Sequence, residues 1–222
     1  MKYLGGKSRL GARIGEELMW LLGDRHFYEP FVGGFNIAQH VDCKYVYCSD
    51  VHPALISMYN AIKKGWVPPR EADEVDYYEA KMYEDSNPLK AFLGFGCSFG
   101  GKYYGGWARG KTRDSYCREA YNAIMNKRST IERCYFKCCN YSDITPWAPS
   151  LIYCDPPYAG TTGYTHEFNH ERFWAWCQHM SKEHIVVVSE FECPVPHELL
   201  FEKERVTDVG QLEKTEILVR IK

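Results

Sequence analysis

Strand-like and helix-like segments alternate along most of this chain, and that alternation leaves few folds open. Near the start, Leu10, Ile14, Leu18, Leu21 and Leu22 share one side of a helix that Ser8 can cap and Gly23 can end. HFYEPFV reads as a strand broken at Gly33-Gly34, with a short helix from Phe35 to about Val41. KYVYCSD is a second strand ending on Asp50, and His52-Pro53 opens a helix that Gly65 stops. Further strands are CYFKCCNY, ending near Asp143, then LIYCD and HIVVVSEF. Asn169 is placed to cap the helix HERFWAWCQHM between the last two. ELLFEKERV and TEILVRI alternate as an antiparallel hairpin does. Strands separated by helices imply an open α/β sheet, mostly parallel and covered on both faces.

The alternation is interrupted once. Pro68-Pro69 marks a boundary, after which comes an acidic helical stretch with Glu71, Asp73, Glu74, Asp76, Glu79, Glu84 and Asp85. A short apolar run after Asn87-Pro88 leads into CSFGGKYYGGWARGKTR, dense in glycine and aromatics, and then a helix from about Ser115 to Lys127. This reads as an insertion of residues 67–133 into a domain made of residues 1–66 and 134–222.

In such a sheet, ligands lie beyond the carboxyl ends of the strands. Asp50, Asp143 and Asp155 are the acids expected there. Gly33 and Gly34 remove side chains where the first strand turns, so backbone can approach a ligand. Asp50 follows about 20 residues later, where an acid can bind ribose hydroxyls. This suits an adenosine-containing cofactor. The strict G-x-G-x-x-G pattern is absent, which argues against a nicotinamide or flavin enzyme, and GGKS lacks the spacing of a phosphate loop.

Composition sets outer limits. The chain has 222 residues, a net charge of −2 and ten cysteines. No adequate apolar leader is read at the N-terminus, so the cysteines are expected to be reduced and the protein cytoplasmic. Cys134, Cys138 and Cys139 lack a paired CxxC knuckle and read as thiols rather than a zinc site. His166-Glu167-x-x-His170 fits a zinc-protease pattern, but a helix capped by Asn169 would separate its two histidines. No metal is expected.

Taken in order, YLGGK (Tyr3–Lys7), YEPFVGG (Tyr28–Gly34), SDVHPALISMYNAIK (Ser49–Lys63) and DPPY (Asp155–Tyr158) resemble the motifs of DNA adenine-N6 methyltransferases of the DNA adenine methylase type, the D12 class. The resemblance runs through nearly the full length. It implies a Rossmann-like class I methyltransferase sheet with a C-terminal antiparallel hairpin and an inserted, mainly helical and loop target-recognition region. It also implies S-adenosyl-L-methionine as cofactor and double-stranded DNA as partner, at a DNA-associated location in a bacterial or phage-infected cell. A partner endonuclease, and so a restriction–modification role, stays open.

Carried over by position, Tyr3 and Lys7 would lie along the cofactor, with Glu29, Pro30, Phe31, Gly33 and Gly34 around the turn. Asp50 would hold the ribose and Asp143 would sit near the adenine. Phe35 departs from the family, which often has a third small residue there. Asp155, Pro156, Pro157 and Tyr158 would be catalytic, Asp155 meeting both cofactor and target. The amine of adenine is a poor nucleophile because its lone pair is delocalised. Acceptors at Asp155 and at the Pro156 carbonyl, stiffened by proline, favour the charge that develops on nitrogen. The target must be flipped from the duplex, and Tyr158 can stack on it.

Between Lys102 and Lys137 the bases Lys102, Arg109, Lys111, Arg113, Arg118, Lys127, Arg128, Arg133 and Lys137 outnumber Asp114, Glu119 and Glu132. Tyr103, Tyr104 and Trp107 are interleaved with this basic run. Lys102, Tyr103, Tyr104, Trp107, Arg109, Lys111 and Arg113 are therefore the expected DNA contacts. The acidic helix is expected to face away from phosphate. Alternatives are adenine-N6 transfer to RNA, cytosine-N4 transfer to DNA, a non-catalytic DNA-binding relic, and a zinc hydrolase.

Overall fold

The computed structural model describes residues 1–109, 115–158, 168–205 and 214–222. Its strands are β1 (His26–Glu29), β2 (Val46–Asp50), β3 (Tyr135–Cys138), β4 (Ser150–Cys154), β5 (Ile185–Glu190), β6 (His197–Arg205) and β7 (Lys214–Ile221). They form one seven-stranded sheet in the order β3-β2-β1-β4-β5-β7-β6. The first five are parallel, and β7 lies antiparallel between β5 and β6. This is the expected Rossmann-like α/β sheet, mostly parallel with a C-terminal antiparallel pair.

The helices are α1 (Gly11–Leu22), α2 (Pro53–Lys63), α3 (Glu74–Lys81), α4 (Pro88–Gly96), α5 (Ser115–Met125), α6 (Arg128–Arg133) and α7 (His170–Met180). Side chains of a strand alternate between faces, and the two faces carry separate cores. Phe27, Cys48, Leu151, Tyr153, Val187 and Leu218 pack with α1, α2 and α4. Tyr28, Ile152, Cys154, Val186, Val188 and Val219 pack with Phe173, Trp174 and Cys177 of α7.

Local signals explain most helix boundaries. Asn169 Oδ1 accepts from Arg172 N at 2.8 Å, so α7 starts at His170. Asp73 and Asp76 form a reciprocal capping box on α3. Pro53 stands at the start of α2, where its missing N–H costs nothing. Ser8 is not a cap. It is exposed, and α1 begins after Leu10 with no side-chain cap.

Three boundaries move. β1 stops at Glu29 rather than running to the glycines, because Pro30 has no N–H to extend the ladder. The helix expected from Phe35 is only a 3-10 turn at Ala38–His40. β3 stops at Cys138, leaving Asp143 exposed in a second 3-10 turn rather than at a strand end. The stretch after Asn87 is a full helix, α4, and α6 was not expected.

Candidate active site

The order β2-β1-β4-β5 reverses direction between β1 and β4, and ligands of such sheets bind in the crevice at that switch point. The glycine turn follows β1 on one side. Asp155 follows β4 on the other.

The glycine turn is tied down from several directions. Gly33 N donates to Asp50 Oδ2 at 3.0 Å, and Tyr59 Oη donates to Gly33 O at 2.7 Å. Lys127, nearly buried, donates to Gly34 O, Phe35 O and Asn36 Oδ1 at 2.9–3.0 Å. Desolvation lowers the Lys127 pKa to about 8. Gly33 has φ 43°, and a Cβ there would stand 2.8 Å from Tyr3 Cε1. The Tyr3 ring thus lies directly over the turn and packs against Phe95 at 4.9 Å. Phe35 adopts φ 55°, a conformation that favours glycine, and is fully buried against Tyr59 and Phe136. The departure at that position therefore serves packing beneath the turn.

Asp50 ends β2 and is buried. Besides Gly33 N, it accepts from His52 N at 3.0 Å, and Val51 N–H also favours its ionised form. Burial dominates and pushes its pKa up to about 6. Three backbone donors take most of the roughly four acceptor positions of a carboxylate. Glu29 is buried too, and its Oε2 accepts from Ala38 N at 3.0 Å. Burial pushes its carboxyl well above the usual range, so it acts as an internal cap for the turn. Pro30 is buried. Phe31 stacks on Tyr141 at 5.4 Å and meets Phe168 and Phe173 edge-on.

On the other side of the switch point, Lys7 Nζ lies 2.6 Å from Asp155 Oδ1 and 3.4 Å from Glu216 Oε1. Tyr158 Oη donates to the same Glu216 oxygen at 3.2 Å. Lys7 stands over the Tyr158 ring at 4.3 Å, and Phe191 meets that ring edge-on at 4.6 Å. Burial raises the Asp155 carboxyl, Lys7 opposes the rise, and Glu216 adds to it. Pro156 is buried and Pro157 half-buried. Tyr158, expected as an open stacking face, is 8% exposed and held on its hydroxyl.

The expected DNA-contact block is reshaped by packing. Tyr104 Oη donates to Lys90 O at 3.0 Å, and a Cβ on Gly94 would strike the rings of both Tyr103 and Tyr104. Tyr103 also packs on His52 and Phe95. These two tyrosines are walls of the helical layer, not a free loop. Trp107 is half-buried beside Tyr77. The acidic segment pairs with part of the basic run: Glu74 with Arg109 and Glu71 with Arg118. Arg128 and Arg133 pair with Glu132 and Asp42, and Lys127 is internal. Lys102 is exposed. Lys111, Arg113, His166 and Glu167 lie outside the described residues.

Phe99 was missed. It is 73% exposed, held between Ser98 and Gly100 by Phe99 N to Gly106 O at 3.0 Å and by Lys102 N to Phe99 O at 3.3 Å. All ten cysteines are free. Among the described residues, no group of three or more His, Cys, Asp or Glu side chains could hold a metal. No helix there is long and apolar enough to cross a membrane.

Residues 3–93 match the family model of the D12 class N6 adenine-specific DNA methyltransferases. The chain is 29% identical over 183 residues to a DNA adenine methylase of Vibrio cholerae, covering 72% of this chain and 64% of that protein. It is 26% identical over 185 residues to the DNA adenine methylase of Escherichia coli K12, with the same coverage of each. The chain therefore spans less than two thirds of the length of these relatives. Among solved structures, an rRNA methyltransferase, AviRa of Streptomyces viridochromogenes, aligns over 98% of this chain and 86% of that one, with 14% identity and a TM-score of 0.48. Residues 3–93 of this chain, set on a mostly parallel α/β sheet, are thus similar to the D12 class N6 adenine-specific DNA methyltransferases.

Proposed function

We propose that this protein transfers a methyl group from S-adenosyl-L-methionine to the N6 amine of adenine in DNA. The observation that carries the reading is the placement of Asp155-Pro-Pro-Tyr158 across the switch point from the glycine turn, with Lys7 clamping Asp155 at 2.6 Å. The residues fit the cofactor. The turn brings bare backbone to the crevice beneath Tyr3, and Asp50 holds its carboxylate at that edge. In this reading Tyr3, Lys7, Phe31, Gly33, Gly34 and Asp50 line the cofactor, with Asp143 at the outer rim. Glu29 and Pro30 shape the turn from within. When bound, the cofactor supplies a sulfonium-activated methyl group.

The chain's own part is to orient and polarise the amine. Lys7 fixes Asp155 through one oxygen, so the carboxylate is held in position before the substrate arrives. Asp155 and the Pro156 carbonyl accept the two amine hydrogens, which localises the nitrogen lone pair. Proton loss follows transfer, so a carboxyl whose pKa is raised by burial suffices as acceptor. The base reaches this point flipped out of the duplex. Tyr158 forms one wall of its pocket, with Lys7 behind the ring. Phe99, Lys102, Trp107 and Arg109 are the DNA-facing groups of residues 67–133, which act as the target-recognition part. The exposed Arg109–Glu74 pair is weak enough to exchange for phosphate.

The deciding experiment incubates unmodified DNA with methyl-labelled S-adenosyl-L-methionine and identifies the modified nucleoside after digestion. N6-methyladenosine in its deoxy form is expected from the wild type, and Asp155→Ala should abolish it while keeping the fold. Label confined to cytosine, RNA or protein, or activity retained by Asp155→Ala, would overturn the assignment.

A further inference from the structure

β7 runs against its parallel neighbours, so its beginning lies where their carboxyl ends lie. The register shows this directly: Glu190, the final residue of β5, pairs with Ile217. Glu216 therefore stands at the edge that carries Asp155. Its side chain is 2% exposed, and no sequence motif marks it.

A carboxylate buried this deeply is costly unless its charge and lone pairs are answered. Two of the groups that answer it belong to the site. Lys7 Nζ is 3.4 Å away and the Tyr158 hydroxyl 3.2 Å. The first also holds Asp155, and the second ends the DPPY tip. The Tyr158 hydroxyl is held by Glu216, Lys7 stands over its ring and Phe191 meets that ring edge-on, which together orient Tyr158.

We propose that Glu216 is a positioning residue of this site, fixing Tyr158 by its hydroxyl and sharing the Lys7 ammonium with Asp155. The last strand thereby sets the geometry and the charge of the tip. Glu216 acts through Lys7 and Tyr158, and the consequence for transfer rests on the methyltransferase reading above. Removing its charge leaves Lys7 to Asp155 alone and takes a negative neighbour away. Both changes favour ionised Asp155.

Two measurements test this. The first follows the carboxyl carbon of Asp155 by NMR in protein with neither cofactor nor DNA, assigned against Asp155→Asn. The Asp155 midpoint is expected to fall in Glu216→Gln, an isosteric change, and to return toward wild type in Glu216→Asp. An unmoved midpoint in Glu216→Gln overturns the proposal. The second is methyl transfer: Glu216→Ala should lower kcat by about a hundredfold, the scale of a displaced reacting group, with KM for cofactor little changed. A kcat within about threefold of wild type, in protein folded by circular dichroism, overturns it as well. A wild-type protein that transfers no methyl group ends the methyltransferase reading. The Asp155 midpoint then decides the positioning role by itself.

Discussion

Lys7 and Asp155 meet at 2.6 Å with only 2% of the lysine side chain exposed. The contact joins the N-terminal motif to the end of β4, and Glu216 approaches the same ammonium from β7. An ion pair so placed contributes little net stability, but removing one member leaves uncompensated charge behind.

Lys7→Met should therefore destabilise the fold by about 3 kcal/mol at neutral pH, read by urea denaturation. Without the cation, the folded-state pKa of Asp155 rises. The deficit is then smallest at low pH, where Asp155 is protonated, and grows as pH rises. A deficit independent of pH would place its origin in lost packing.

Asp50 gives a second pH test. Its folded-state pKa is raised from 3.8 to about 6 by burial, so its favourable contribution is present below the unfolded value and is lost as pH rises through about 6. Relative to Asp50→Asn, the wild type should lose up to about 3 kcal/mol between pH 4 and 7. A constant difference between the two stability curves would show that the carboxyl titrates normally.

Gly33→Ala meets both a positive φ and the Tyr3 ring. A loss of about 1–3 kcal/mol is expected. Adding Tyr3→Ala clears the ring, so the double variant should lose less than the sum of the single ones. Strict additivity would place the strain in the backbone alone.

Phe99 and Lys102 are exposed, so their alanine variants should stay within about 0.5 kcal/mol of wild-type stability. Phe99→Ala should weaken DNA binding by about tenfold, on the scale of lost aromatic contact with bases. Lys102→Ala should lower the salt slope of binding by about one. Unchanged DNA binding in both would move the contact surface elsewhere.

Much of this arrangement was legible before any coordinates. The alternation of strands and helices, the glycine turn, the Asn169 cap and the acid after LIYC all rest on local rules, and the sheet obeys them. What escaped depends on partners remote in the chain. Tyr103 and Tyr104 sit in a glycine-rich run that reads as mobile, yet Gly94 of α4 makes room for both rings. Lys127 reads as part of a basic surface, but carbonyls of the glycine turn draw it inside. Arg109, Arg118, Arg128 and Arg133 are paired with Glu74, Glu71, Glu132 and Asp42. Glu216 looks like any polar residue in an alternating strand, and only the reversed direction of β7 delivers it to the site.

Nearly the whole chain lies between Lys7 and Glu216, yet their side chains meet. Contacts so distant in sequence form late, because the intervening loop entropy must be overcome first. Secondary structure can therefore return early during refolding while the Lys7, Asp155 and Glu216 cluster stays unassembled until the first and last elements have docked. Recovery of activity will lag behind recovery of helix signal, and the lag times the closing of the sheet.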